Sequence, residues 1–245
     1  MVKAVNITKN KRAKKSSSGI VKVGSKKPFK TYQQAIKYLC ERTDYEKEKN
    51  VRYNVTTFNL DRMGKLLSSV GNPHKKIRTA HIAGTKGKGS TATMLAKMLE
   101  ANDYTVGLYT SPHVVSMHER IVVDSKMITE AEMQGLLNRI YAPVEKITKT
   151  EPLSFFEVMT AMAFMHFADK KVDIAVIETG LGGRLDSTNV IKPEVIGITS
   201  LSIDHQRQLG KTIESIAKEK AGIFKPGVPI VTVKQQPEAL KVLRD

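Results

Sequence analysis

The stretch that decides the fold of this chain is HIAGTKGKGST, residues 81–91. It begins within a β-type run over residues 78–83 and leads into a segment with helical periodicity over residues 91–101. Its glycines allow the backbone amides to turn inward around an anion, while the start of a helix and Lys88 add positive charge. The stretch therefore predicts a phosphate-binding loop, with a nucleoside triphosphate as the ligand.

The spacing departs from the usual phosphate-loop pattern G-x-x-x-x-G-K-[ST]. Gly84 lies three residues before Gly87, and Gly89 separates Lys88 from Ser90. The alternative is a plain glycine turn between a strand and a helix. We favour the phosphate loop, because the segment after it has apolar residues at helical spacing: Met94, Leu95, Met98 and Leu99. The residues predicted to contact the nucleotide are Gly84, Thr85, Lys86, Gly87, Lys88, Gly89 and Ser90.

Composition indicates a globular α/β protein. The chain has 245 residues, of which 40% are hydrophobic, and it has no apolar run near the roughly 20 residues that a membrane span requires. Cys40 is the only cysteine, which excludes an intrachain disulfide and a zinc site built on cysteines. We therefore expect a cytoplasmic protein that has no contact with a membrane.

The positive charge is concentrated at the N-terminus. The net charge is +16, and residues 1–30 contain ten Lys or Arg and no Asp or Glu. This segment also lacks apolar periodicity, so we predict a basic disordered tail over residues 1–30 and a folded domain over residues 31–245. We favour a solvated tail without a function of its own. A non-specific contact with nucleic acid or an acidic surface, and a transit peptide, remain as alternatives.

Strands rich in Val and Ile alternate with helical segments along the rest of the chain. Strands are predicted over residues 78–83, 106–110, 172–178, 195–200 and 228–233, and a short strand or hairpin arm over 121–123. Helices are predicted over residues 31–42, 60–70, 91–101, 130–141, 155–167 and 212–223. This alternation predicts an α/β fold with a mostly parallel β-sheet flanked by helices on both faces.

Four segments fall at the carboxyl ends of predicted strands, where such folds bind ligands. They are residues 84–90, 111–113, 178–189 and 202–205. Glu178 ends a buried strand and is placed to meet a magnesium ion held by nucleotide phosphates, although it could instead be an ordinary polar strand terminus. His205 could bind a cation or orient a carboxylate, but a lone histidine after a strand is more often structural.

The motifs together resemble the folylpolyglutamate synthase and dihydrofolate synthase family of the Mur ligase superfamily. The resemblance extends over about residues 58–233 and rests on HIAGTKGKGS (81–90), YTSPH (109–113), ERI (119–121), SFFE (154–157), VIETGLGGRLDSTNV (176–190), IDH (203–205) and KEKAGIFKPG (218–227). It implies the P-loop-containing central domain of a Mur ligase. It also implies an ATP-dependent ligase that joins L-glutamate to the carboxylate of dihydropteroate or a folate through an acyl phosphate.

The resemblance implies roles for individual residues. Lys88 would hold the β- and γ-phosphates of ATP, and Ser111 and Glu178 would bind a magnesium ion, with the Ser90 hydroxyl nearby. A second magnesium ion would be bound by His205 and by Lys220, whose amine is carbamylated in this family. The pocket for the pterin-bearing substrate would be lined by Ser154, Leu185, Asp186 and Ser187. Residues 52–58 are expected to contribute to it.

The chain departs from the family in its length. Members of the family carry a second, smaller α/β domain after the matched region, whereas this chain ends at Asp245. We therefore expect a monomeric fragment or truncated product that binds ATP weakly and does not complete turnover. The alternatives are a cell-wall Mur ligase relative, a P-loop ATP-binding module without turnover, and a nucleic-acid-dependent NTPase. The last is disfavoured, because the sequence, with seven Phe, seven Tyr and no Trp, shows no basic stripe interleaved with aromatic residues.

Overall fold

One seven-stranded sheet organises the part of the chain that the computed structural model describes, which is residues 28–45, 53–54, 57–204 and 206–245. The strands are β1 (Thr79–Ala83), β2 (Val106–Tyr109), β3 (Ile121–Val123), β4 (Lys126–Met127), β5 (Ile174–Glu178), β6 (Val195–Ile198) and β7 (Ile230–Thr232). Their order across the sheet is β4-β3-β2-β5-β1-β6-β7. The five strands from β2 to β7 in this order are parallel, and the β3–β4 hairpin adds an antiparallel edge. The predicted fold class is confirmed.

The helices are α1 (Tyr32–Cys40), α2 (Leu60–Ser69), α3 (Lys88–Glu100), α4 (Glu130–Thr148), α5 (Phe155–Lys170), α6 (Gln206–Leu209), α7 (Ile213–Ala221) and α8 (Pro237–Arg244). Several begin at a capping box, in which a Thr or Ser and a residue three positions later satisfy each other's backbone amides. These pairs are Thr31–Gln34, Thr129–Glu132 and Ser154–Glu157.

Alternating side chains of the central strands face two different layers of helices. Ala80 and Ile82 of β1 pack with α3, together with Ile174 and Val176 of β5. Ala175 and Ile177, the intervening residues of β5, belong to the larger cluster built on α1, α2, α4 and α5. A strand that is buried on both faces has a continuous apolar sequence, which explains why the predicted strands showed no alternation.

Helix α5 lies in the middle of the larger cluster. Every residue from Phe155 to Phe167 is buried, so this stretch of the helix is covered on all sides by the rest of the protein. The ring of Phe167 lies against Gly107 of β2, where an added Cβ would come within 2.7 Å of it. The packing of α5 against the sheet therefore depends on a strand position that has no side chain.

Some predicted boundaries were wrong. The helix predicted over residues 91–101 begins at Lys88, because Gly87 takes the left-handed conformation (φ 82°) and caps it. The helix predicted over residues 130–141 continues to Thr148 through Pro143, since Val144 beyond the proline is buried in the core. Helices α6 and α8 and strand β4 were not predicted. Strand β4 is only two residues long, whereas α8 has apolar residues at helical spacing (Ala239, Val242 and Leu243) that the sequence analysis did not use.

The N-terminal tail prediction is only partly within the described residues. Residues 1–27 lie outside them. Phe29 is buried, its ring contacts Tyr38 and Tyr141, and its backbone is held by the side chain of Asn138. The folded part therefore includes the last residues of the segment predicted as tail.

Across the described residues, no helix combines the length and the apolar character that a bilayer-spanning helix needs.

Candidate functional site

The glycine-rich loop connects the end of β1 to the start of α3. Gly84 has φ 151°, and an added Cβ would lie 1.8 Å from Oγ1 of Thr199, so the position accepts only glycine. Because α3 begins directly after Gly87, the residues Lys88, Gly89 and Ser90 form its first turn. The first amides of a helix have no partner within it and carry the positive end of the helix dipole. The loop is therefore built to receive an anion.

The loop is anchored to the end of β6. The backbone amides of Thr85 and Lys86 donate to the carbonyl of Ser200, at 3.0 and 3.3 Å. The Thr85 hydroxyl donates to the Ser202 carbonyl and accepts from the Ser202 amide, both at 3.2 Å. Two of the four predicted ligand segments are thus in direct contact.

Glu178 lies at the end of β5 and faces the first turn of α3. Its Oε2 accepts a hydrogen bond from the amide of Ser111 (3.1 Å), and a Cβ on Gly89 would stand 3.3 Å from the same oxygen. The structure thus brings Ser111, Glu178 and the start of α3 together. A carboxylate and nearby hydroxyls are the hard oxygen donors that Mg²⁺ prefers, so the donor set fits this ion.

The described residues contain no cluster of three or more His, Cys, Asp or Glu side chains that could hold a metal by themselves. A cation beside Glu178 would therefore also need hydroxyl, phosphate or water oxygens. His205 lies outside the described residues, so its predicted role is neither supported nor contradicted.

Lys220 is buried on α7, and its side chain points towards the loop of residues 180–185. Its Nζ lies 3.5 Å from the carbonyl of Gly182, and only 4% of the residue is exposed. Burial lowers the pKa of the Lys220 amine to about 8, and the nearby positive charge of Lys88 lowers it further, while Asp186 and Asp204 oppose the shift. A buried amine with a depressed pKa is partly neutral near physiological pH and therefore nucleophilic.

A shallow cleft lies between the loop of residues 84–90 and α7, with about 240 Å³ of empty space that includes open solvent. Lys88 lines it on one side and Lys220 on the other. The remaining lining residues are Gly84, Thr85, Gly180, Leu181, Gly182, Asp204 and Leu209. Asp204 and Leu209 were not among the predicted site residues. Asp204 could have been found, because it stands in the quoted IDH motif beside His205.

Asp186 is buried beneath the loop of residues 180–185. Its carboxylate accepts hydrogen bonds from the backbone amides of Leu181 (2.8 Å) and Thr188 (2.9 Å). Burial raises the pKa of this carboxyl, and these hydrogen bonds oppose the rise. The structure therefore shows Asp186 holding the loop, and its predicted contact with a substrate remains a prediction.

Tyr53 lies in the segment 52–58, which was predicted to contribute to the substrate pocket, but it was not predicted as an individual residue. Its phenol oxygen accepts hydrogen bonds from the amides of Leu185 (2.8 Å) and Gly183 (3.3 Å). Gly182 lies against the same ring, since its added Cβ would be 2.6 Å from the phenol oxygen. Burial raises the pKa of Tyr53, so the phenol stays neutral. Leu185 is itself buried, as is Ser187.

Ser154 caps α5 and belongs to a buried ionic network. Its hydroxyl donates to Oε2 of Glu157 at 2.7 Å, and Arg62 of α2 binds both carboxylate oxygens of Glu157, at 2.7 and 2.9 Å. Arg62 was not predicted, although Glu157 stands in the quoted SFFE motif. The start of α5 also contacts the loop of residues 180–185, because a Cβ on Gly180 would come 2.6 Å from the Phe156 ring.

A parallel sheet whose first strand runs through a glycine-rich loop into a helix, with a buried carboxylate at the end of the adjacent strand, defines a P-loop nucleotide-binding domain. Residues 82–237 match the Mur ligase middle domain. The chain belongs to this family.

The relatives are enzymes of folate metabolism by name. The chain is 50% identical over 188 residues to the dihydrofolate synthase/folylpolyglutamate synthase of Bacillus subtilis, which covers 76% of this chain and 44% of that protein. A solved folylpolyglutamate synthase complex with AMPPCP and folate superposes with a TM-score of 0.80 at 39% identity, covering 87% of this chain and 51% of the other.

The folylpolyglutamate synthase of Mycobacterium tuberculosis, solved with ADP and AMPPCP, gives a TM-score of 0.77 at 38% identity, covering 87% of this chain and 47% of that one. The chain therefore spans about half the length of the relatives it matches.

Proposed function

We propose that this chain is the ATP-binding and carboxylate-activating part of a ligase that joins L-glutamate to dihydropteroate or a reduced folate. The observation that carries the proposal is that Lys88 and Lys220 line one cleft at the carboxyl edge of the sheet, while Glu178 lies beside the first turn of α3, which Lys88 begins. The relatives' names and the AMPPCP and folate in a similar structure support it. They also favour the folate branch over a cell-wall Mur ligase.

In the proposed mechanism the chain's residues mainly position charge. The loop of residues 84–90 surrounds the phosphates of ATP with amides, and Lys88 binds the β- and γ-phosphates. Ser111 and Glu178, with Ser90 nearby, would hold one magnesium ion, and His205 with carbamylated Lys220 would hold a second. When bound, Mg²⁺ would neutralise charge as the γ-phosphoryl group moves to the substrate carboxylate.

The acceptor is placed by the other wall of the site. Ser154, Leu185, Asp186 and Ser187 frame the proposed folate pocket, with Ser154 and Asp186 contributing through the backbone they hold rather than through free side chains. The amine of glutamate then attacks the acyl phosphate, and inorganic phosphate leaves. We propose a monomeric cytoplasmic protein consisting of a folded domain to residue 245 after a basic N-terminal tail.

Trapping of the acyl phosphate tests this function without requiring a glutamate site. The chain, incubated with ATP, Mg²⁺, hydroxylamine and either dihydropteroate or tetrahydrofolate, is expected to produce the substrate hydroxamate, because hydroxylamine displaces phosphate from an acyl phosphate. Mass spectrometry detects the product, and comparing the two acids identifies the preferred acceptor.

AMPPCP binding, measured by titration calorimetry, is the control for this assay. Binding without hydroxamate would reduce the function to that of a nucleotide-binding module. A folded chain that binds no nucleotide would contradict the proposal.

Carbamylation of Lys220 is a second expected result. The neutral amine that its lowered pKa of about 8 provides reacts with CO₂, loses a proton and becomes an anionic carbamate, which can ligate a cation. With ¹³C-bicarbonate, we expect a carbamate signal in the ¹³C NMR spectrum that is lost in Lys220→Ala. Lys218→Ala, an exposed lysine on the same helix, should keep it. A spectrum without this signal at mildly alkaline pH would remove the second metal site.

A further inference from the structure

A buried chain of three side chains lies beneath the cleft: His81, Thr188 and Asp186. His81 belongs to β1, the strand that leads into the phosphate loop, and its Nε2 lies 2.8 Å from Oγ1 of Thr188. The same hydroxyl donates to Oδ1 of Asp186 at 2.5 Å. All three residues are buried, and neither His81 nor Thr188 has a part in the proposed chemistry.

The positions of the hydrogens fix the direction in which these hydrogen bonds are donated. A threonine hydroxyl has one hydrogen, and here it points to the Asp186 carboxylate. It must therefore accept from His81, which places the imidazole hydrogen on Nε2. Nδ1 is then a bare acceptor, and among the described residues it has no hydrogen-bond partner. A histidine buried with one nitrogen unsatisfied is costly, so the donor that it offers to Thr188 must matter for the fold or the site.

The carboxylate at the other end has no acceptor capacity left for a ligand. Oδ2 receives the Leu181 amide, and Oδ1 receives both the amide and the hydroxyl of Thr188. The Gly180 amide also bonds to this carboxylate. Four donors saturate an ionised carboxyl group. Asp186 thus acts on the backbone of residues 180 and 181, both of which line the cleft.

The hydrogen bonds from His81 through Thr188 to Asp186 link two elements on either side of the cleft. At one end is β1, which carries the phosphate loop three residues after His81. At the other end is the loop of residues 180–185, in which the Gly182 carbonyl accepts a hydrogen bond from the Lys220 amine. Burial lowers the pKa of His81 to about 3, so the imidazole stays neutral at working pH.

We infer that His81 and Thr188 are positioning residues: through Asp186 they hold the wall of residues 180–182 at a fixed place relative to the phosphate loop, and so set nucleotide affinity. This inference rests on the proposed nucleotide site. It assigns to two residues outside the cleft an effect on binding inside it.

Thr188→Val tests the inference, because it keeps the shape of the side chain and removes only the hydroxyl. We expect faster hydrogen exchange at the Leu181 amide and roughly tenfold weaker AMPPCP binding, since a buried hydrogen bond to a charged group is lost. Thr188→Ser should restore both. His81→Leu should cause the same changes to a smaller extent, because the bond from Thr188 to Asp186 remains, and His81→Gln, which retains an N–H donor, should be milder still.

A stability-matched control separates positioning from simple loss of stability. Ile140→Val removes one methylene from the core on α4, away from the loop, and is expected to lower the melting temperature without changing exchange at Leu181. If Thr188→Val lowers the melting temperature yet leaves Leu181 exchange and AMPPCP affinity unchanged, the inference is wrong. If no variant or wild type binds AMPPCP, the proposed function fails, and the exchange data alone decide whether the loop is held in this way.

Discussion

Lys88→Ala is expected to weaken nucleotide binding by about 10- to 100-fold, which is the range that loss of a charge-assisted hydrogen bond to phosphate produces. Lys88 lines the cleft, and its amine makes a long hydrogen bond to the Thr85 carbonyl (3.4 Å). Little internal structure depends on it, so the loss should appear in binding and not in stability. Titration with AMPPCP in the presence of Mg²⁺ measures it directly.

Lys97→Ala is the matched control for this result. Lys97 lies on the same helix, α3, but its side chain is 54% exposed and pairs with Glu100. It removes the same charge from the same element at a distance from the loop, so AMPPCP affinity should be unchanged. In a longer form of the protein that carries out glutamate addition, Lys88→Ala should abolish turnover. Equal nucleotide affinity of Lys88→Ala and wild type would contradict the phosphate-binding role.

Arg62→Met is expected to cause the largest loss of stability, about 3–5 kcal/mol, because it leaves the Glu157 carboxylate buried without its counter-ion. Both side chains are more than nine-tenths buried, and Nε of Arg62 lies 2.7 Å from Oε1 of Glu157. Arg62 also donates to the Thr57 carbonyl at 3.1 Å, so the segment before α2 should loosen as well. Urea denaturation gives the free energy of unfolding.

Two further variants make this result specific. Arg78→Met breaks an exposed ion pair with Glu194 of similar geometry (3.0 Å) and should cost no more than about 1 kcal/mol. Arg62→Met combined with Glu157→Gln should recover part of the loss, since it removes the buried charge and leaves an amide oxygen for Ser154. Similar losses for Arg62→Met and Arg78→Met would show that the buried pair has no special weight.

Local chemistry was sufficient to find the phosphate loop. A strand, three glycines, a lysine and a helix are adjacent in the chain, and each restricts the backbone or the charge within a few residues. The central strands were found for the same reason, because burial on both faces requires continuous Val and Ile. The start of α3 was misplaced by three residues, since a left-handed Gly87 leaves no mark in apolar periodicity.

The contacts between distant segments could not be read from their sequences. Arg62 and Glu157 are separated by 95 positions, and nothing near Arg62 distinguishes it from an exposed arginine. Tyr53 and Leu185 are 132 positions apart, and the phenol acts as an acceptor only because the loop of residues 180–185 passes over it. The substrate contacts of Asp186 and Ser154, which motif resemblance implied, stay predictions; only the structure shows that both buried side chains also bond to groups within the protein.

The amino-acid sequence by itself determined the chemistry that is available at the edge of the sheet: amides that turn inward, a cation, a carboxylate and a second lysine. These depend on residue type and on short-range backbone preference, which are written locally. Only the tertiary structure decided which of these groups face one cleft and which form hydrogen bonds that fix the backbone around it. Strand order and the burial of paired charges result from the packing of segments far apart in the chain, and for that reason no short stretch encodes them.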